Sequence, residues 1–223
     1  MIYIFYSHIS EKNHGLLLQK FLSNFPLDFQ QKILSYRRWQ DAQLSLLGRL
    51  LLNQGILKNT HLKTVNSKIL FTEYNKPYFE DKEIDFNISH SGEIVVCAIS
   101  EPYNLGVDIE IMNAININDF KSQMTANEWD LIINATDQQK AFYNYWTQKE
   151  AVVKAHGKGL SIPLQSFEIK DNTTIIDTKT FYASKINLEE KYMCYVAYGQ
   201  EINKDNIIIK RIDMDDILSS VLM

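Results

Sequence analysis

Three stretches of the chain bring chemically able residues together at regular spacing. The first is Asp108-Ile-Glu110 within GVDIEI. In a strand, positions i and i+2 project from one face, so two carboxylates stand side by side while Val107, Ile109 and Ile111 turn to the core. Like charges that close are unfavourable unless a cation neutralises them, and an all-oxygen pair suits Mg²⁺. A solvated strand face with two unrelated acids accounts for the same pattern. The second stretch is Trp146-Thr-Gln-Lys-Glu150-Ala-Val-Val-Lys154. Spacing by four places Trp146, Glu150 and Lys154 on one helical face. There a carboxylate and an ammonium can hold a metal and a phosphate together, or can form a surface ion pair worth roughly 0.3 kcal/mol. The third is Asn87-Ile-Ser89-His90-Ser91-Gly92. It reads as a hairpin-like turn whose hydroxyls, imidazole and backbone are good donors to phosphate oxygens, or as an ordinary structural turn. A Ser–His hydrolase competes, but adjacent Ser89 and His90 are poorly arranged to bond one another, and no G-x-S-x-G elbow is present.

Other standard devices are missing from the sequence: no G-x-x-x-x-G-K-[ST] loop, no G-x-G-x-x-G, no H-E-x-x-H and no Cys/His zinc cluster. Lys and Arg total 23 against 27 Asp and Glu, a net charge of −4, so a whole-surface polyanion binder is not expected. Cys97 and Cys194 lie in the apolar stretches VVCAI and MCYVAY and read as buried, reduced thiols of a cytoplasmic protein. No apolar run has the length of a membrane span, and MIYIFYSHIS lacks the basic start and cleavage site of a signal peptide.

The elements that must position these residues follow from periodicity. MIYIFY suits a strand, and Pro26 to Asn53 is helical in pattern, as one long helix or two in series about Arg37-Arg38. SKILFTEY reads as a strand broken by Asn75-Lys76-Pro77. Ile84–Ile88 and Glu93–Ile99 read as strands joined by Ser89-His90-Ser91-Gly92, and Gly106–Ile111 as a further strand. Thr125-Ala-Asn-Glu128 fits a capping box opening a helix towards Asn134. A second helix starts near Asp137 and ends at Gly157 as its left-handed cap. FYASKI, YMCYVAY and NIIIKRI read as strands, with turns at Asp171-Asn172 and Gly199. Strand–helix–strand content thus occurs on each side of about Tyr103, giving two α+β halves, 1–103 and 104–223, the second carrying the acids.

Taken together, FNISHSGEIVVCAI, GVDIE and FYNYWTQKEAVVKAHGKGL resemble the 4′-phosphopantetheinyl transferase family, in its Sfp-type, holo-carrier-protein synthase branch. The resemblance is strong from about Ile69 to Pro163, moderate over YRRWQDAQLSLLGRLLL and weak at both ends. It implies an α+β pseudo-dimer of two similar halves with the active site between them. It implies transfer of the phosphopantetheine arm of coenzyme A to a serine of an apo acyl or peptidyl carrier protein, leaving adenosine 3′,5′-bisphosphate, in fatty-acid, polyketide or nonribosomal peptide biosynthesis. By resemblance, Asp108, Glu110 and Glu150 are the acids for Mg²⁺, with Mn²⁺ as substitute. Lys154 meets the phosphates, and Ser89 and His90 match the phosphate-contacting turn. Lys76-Pro77 lies near the adenine, and Lys32 helps to hold the 3′-phosphate.

The implied chemistry is coherent, because phosphoryl transfer asks mainly for positioning and charge neutralisation. The metal polarises the phosphate, Lys154 and His90 stabilise the departing bisphosphate, and Glu150, directly or through water, deprotonates the serine. Two residues depart from the family pattern. Asn75 stands where glycine is usual, and Leu44 stands where many members carry a phosphate-binding Arg, for which Arg37, Arg38 or Arg49 are substitutes. A metal-dependent nuclease, and a degenerate protein that binds coenzyme A or a carrier without transfer, are the alternatives. The expected protein is monomeric, with neither nucleic acid nor membrane as partner. Phe120, Lys121 and Met124 are a candidate carrier-docking patch.

Overall fold

The computed structural model describes residues 1–59, 68–201 and 203–220. The chain opens with strand β1 (Ile2–His8) and helices α1 (His14–Phe21), α2 (Leu27–Ser35) and α3 (Trp39–Asn59). A short hairpin, β2 (Ile69–Phe71) and β3 (Pro77–Phe79), leads to β4 (Asp85–Ser91) and β5 (Ile94–Ser100). The second half runs through β6 (Gly106–Ile111), α4 (Ala126–Ile133), α5 (Gln138–His156), β7 (Thr173–Ile176), β8 (Lys179–Lys185) and β9 (Tyr192–Tyr198). β10 (Ile207–Arg211) and α6 (Met214–Ser219) follow.

The two main sheets have the orders β10-β1-β5-β4 and β6-β9-β8-β7. Each is covered by one long helix. Val95, Cys97 and Ile99 of β5 share a core with Leu47 and Leu51 of α3, while Met193, Tyr195 and Ala197 of β9 share one with Ala151 and Val152 of α5. The alternate residues, Ile94, Val96 and Ala98 with Cys194 and Val196, meet in a third core between the sheets. Both faces of β5 and β9 are therefore covered, which is why IVVCAIS and YMCYVAY are apolar without alternation. The fold is α+β with two sheet-containing halves, each a helix on a sheet, as the sequence implies. Both cysteines are buried free thiols whose pKa burial pushes up.

The helical stretch from Pro26 is two helices, separated at Tyr36–Arg38. In the second half the capping box is complete. Thr125 Oγ1 accepts from Glu128 N at 3.2 Å, and Glu128 Oε2 accepts from Thr125 N at 2.9 Å. Asp137 caps α5, and Gly157 ends it at φ +91°, a left-handed conformation that costs glycine nothing.

Several readings change. Ser89, His90 and Ser91 lie in β4 rather than in a turn. Ser91 pairs with Ile94, so only Gly92-Glu93 remains for the loop. α1, β3 and α6 have no counterpart in the sequence reading, and β7 follows the turn at Asp171-Asn172 within the stretch read as strands. The first sheet takes one strand from beyond Tyr103. β10 pairs in parallel with β1, and Ile212 and Ile217 enter the first core, so the chain's later part covers an edge that β1 would otherwise leave open. Of the proposed docking patch only Lys121 is exposed. Met124 is buried, and Phe120 packs on Phe142 and Trp146 with ring centroids 5.2 and 5.3 Å away.

A candidate active site on the seam between the halves

β4 and β6 are edge strands of different sheets, and they are joined by side chains instead of a backbone ladder. Asn87, Ser89 and Ser91 share one face of β4 by their spacing of two. Asn87 Oδ1 accepts from Val107 N at 2.9 Å, and Ser89 Oγ donates to Asp108 Oδ1 at 3.0 Å. Ser91 Oγ accepts from Ile111 N at 3.0 Å and donates to Glu110 Oε2 at 2.9 Å. This comb fixes the phase of the two strands and with it the two carboxylates.

α5 supplies the opposite wall, with Trp146, Glu150 and Lys154 on the face turned to β6. Lys154 Nζ donates to Asp108 Oδ1 at 2.6 Å and to Ser89 Oγ at 2.9 Å, and Trp146 Nε1 donates to Glu110 Oε1 at 3.4 Å. β6 comes this close because its first residue has no side chain. A Cβ on Gly106 would stand 2.2 Å from Ala151 O and 2.3 Å from Ala155 N.

Burial raises the pKa of all three acids. At Asp108 the Lys154 ion pair and the Ser89 bond oppose it. At Glu110 the charge of Asp108 adds to it, and at Glu150 those of Asp108 and Glu110 both do. Three crowded carboxylates of this kind favour either protons or a hard cation. Asp108 Oδ2 is buried with no hydrogen-bond partner. The donor set thus fits a divalent cation in chemistry and in having a free ligand atom. It is not a ready-made cage: among the described residues, no three His, Cys, Asp or Glu side chains are gathered closely enough to hold a metal, and Lys154 occupies one oxygen of Asp108.

His90 projects on the other face of β4 and is exposed at its edge. Crowding there, and then Lys154 and Lys32, hold its pKa below the ordinary histidine range against the pull of Asp41. Those neighbours place α2 and the start of α3 beside His90, with Lys32 exposed. Leu44 lies in the first core, only 4% exposed, and so is turned away from any ligand. Arg37 and Arg38 are exposed, whereas Arg49 packs on the Phe29 ring, 5.2 Å from its centroid. Asn75 adopts φ +62°, the conformation for which glycine is favoured and Asn tolerated. Pro77 opens β3. The Lys76 ammonium is turned inwards, bonded to the carbonyls of Leu105 at 3.1 Å and Ala155 at 3.0 Å.

The motifs alone do not mark Asn87 and Ser91 as links, although polar residues at alternate positions of a strand are a readable signal. Nor do they mark Lys149. It is fully buried and donates to Glu128 Oε2 at 2.9 Å and to the carbonyls of Leu164 at 2.8 Å and Phe167 at 2.6 Å. It fixes the side of α5 away from the acids.

Comparison with known proteins agrees with this geometry. Residues 104–204 match the 4′-phosphopantetheinyl transferase superfamily, and residues 16–102 match the 4′-phosphopantetheinyl transferase N-terminal family. Over 154 residues the chain is 40% identical to 4′-phosphopantetheinyl transferase gsp of Aneurinibacillus migulanus, covering 68% of this chain and 64% of that one. Over 156 residues it is 35% identical to 4′-phosphopantetheinyl transferase Sfp of Bacillus subtilis (strain 168), covering 68% and 69%. It is 26% identical over 178 residues to the mouse L-aminoadipate-semialdehyde dehydrogenase-phosphopantetheinyl transferase, covering 73% and 55%. The chain therefore spans about two thirds of the length of the two bacterial relatives. It belongs to the 4′-phosphopantetheinyl transferase superfamily. Among the described residues no helix is long and apolar enough to cross a membrane.

Proposed function

We propose that this protein transfers the 4′-phosphopantetheine arm of coenzyme A to a serine of an apo acyl or peptidyl carrier protein, with Mg²⁺, and releases adenosine 3′,5′-bisphosphate. The observation that carries this reading is the seam itself. Two carboxylates of β6 face the Trp146–Glu150–Lys154 side of α5, and burial raises the pKa of all three acids.

Asp108, Glu110 and Glu150 would hold the metal, which supplies neutralisation of the pyrophosphate charge. Lys154, exchanging Asp108 for a phosphate oxygen, and Ser89 orient the phosphoryl group. The serine oxygen of the carrier forms the new bond to phosphorus as the bond to the bisphosphate breaks. Glu150 receives the serine proton, directly or through water. His90 and Lys154 stabilise the leaving bisphosphate, Lys32 faces its 3′-phosphate, and the backbone of Lys76-Pro77 borders the adenine. The protein works as a cytoplasmic monomer, with the acids on the 104–223 side of the seam.

The test is to mix the purified chain with coenzyme A, Mg²⁺ and a panel of apo carriers from fatty-acid, polyketide and peptide systems. Adenosine 3′,5′-bisphosphate should appear only when all three are present. Its absence across the panel, with folded enzyme, would overturn the reading.

A further inference from the structure

Lys76 is the residue whose sequence role and structural place differ most. It follows Asn75 at the tip of the β2–β3 hairpin, where Lys76 N donates to Thr72 Oγ1 at 3.1 Å. Its side chain then crosses into the other half and runs past Gly157, where a Cβ would lie 3.1 Å from Lys76 Cδ. The ammonium ends on two backbone carbonyls, Leu105 O and Ala155 O, at 3.1 and 3.0 Å.

Both acceptors belong to the elements that build the seam. Leu105 immediately precedes β6 and lies three positions before Asp108, and Ala155 follows Lys154 in the last turn of α5. Backbone meets backbone here, at Gly106 against Ala151 and Ala155. The last carbonyls of a helix lack intrahelical donors, and the helix end carries partial negative charge. Two carbonyls converging at a buried crossing need a donor from elsewhere, since an unpaired buried carbonyl loses its water without compensation. Leu105 and Ala155 are both fully buried. An ammonium from the first half fills the need, despite the burial that lowers its pKa.

We infer that Lys76 is a positioning residue: its ammonium pins the start of β6 to the end of α5 and so holds Asp108 and Lys154 at their spacing across the seam. The hairpin of one half is thereby tied to the acids of the other. The catalytic consequence rests on the proposed transferase function, whereas the pin itself does not.

The experiment uses the full chain with Lys76→Met, which keeps length and apolar stem but has no donor, and with Lys76→Arg, which keeps donors. Hydrogen–deuterium exchange should quicken at least tenfold in Lys76→Met within residues 104–108 and 153–157, with β1, β5 and α3 unchanged, and Arg should restore part of the protection. With coenzyme A and apo carrier, kcat should fall at least tenfold in the Met variant while KM for coenzyme A stays within threefold. Unchanged exchange at both segments would overturn the pin. A raised KM with kcat preserved would show a direct ligand contact and overturn it as well. If the Met variant does not fold, Lys76→Leu, which also has no donor, takes its place under the same criteria. If the wild-type chain transfers nothing, the functional reading fails while the exchange data still decide the pin.

Discussion

At Glu150, burial and then the charges of Asp108 and Glu110 raise the carboxyl pKa on folding, with only Lys154 opposing. The sign of its effect on stability follows. An unfolded glutamate ionises near pH 4.3; between that value and the raised folded pKa, stability falls as pH rises, and above it the cost is complete. Glu150→Gln should therefore raise Tm by about 1–3 °C in metal-free buffer at pH 7, and the advantage should vanish at about pH 4. The same variant should lose about a hundredfold or more in transfer rate. Thermal melts at the two pH values beside a transfer assay test both statements, and a lower Tm at pH 7 would contradict the first. Glu150 and Lys154 were readable because helical spacing alone assigns them a common face. Lys76 was not, because nothing local tells whether a long side chain reaches for a ligand or for a carbonyl of a distant segment.

Among the elements, α5 decides the most. One side faces β6, and the other is clamped by the Lys149–Glu128 pair, in which Glu128 also accepts from Ile169 N at 2.9 Å and from Thr125 N. Lys149→Met leaves Glu128 buried without its partner and should cost about 3–5 kcal/mol. The pair Glu128→Gln with Lys149→Met should recover much of that, as urea unfolding of both variants will measure. Gly106→Ala drives a methyl into the α5 backbone and should cost at least about 2 kcal/mol and most of the transfer activity. Retained stability in that variant would contradict the close crossing. The ends of α4 and α5 were legible because caps are local chemistry. The extension of β4 through Ser91 was not: Ser89, His90 and Ser91 have turn-like composition, and only pairing with β5 keeps them extended.

For the whole molecule, the decisive pairing is β10 with β1, which brings the two halves' chain segments into one sheet. His8 Nε2 and Glu189 Oε1, 2.7 Å apart, add a polar contact between the halves. Deleting residues 207–223 should bare the β1 edge and remove Ile212 and Ile217 from the first core, leaving a chain that aggregates instead of giving a sharp melting transition. β1 and β10 were each legible by pattern, but the parallel partnership of segments some two hundred residues apart carries no local signal. The same is true of the seam, whose members were legible singly and whose union is a property of the fold. Its function is tested most directly by the intact mass of an apo carrier incubated with coenzyme A, Mg²⁺ and either the wild-type chain or Glu150→Ala. The account requires one added phosphopantetheine per carrier with the wild type, and a rate lower by about a hundredfold or more with the folded variant. Equal loading by the two proteins would contradict it.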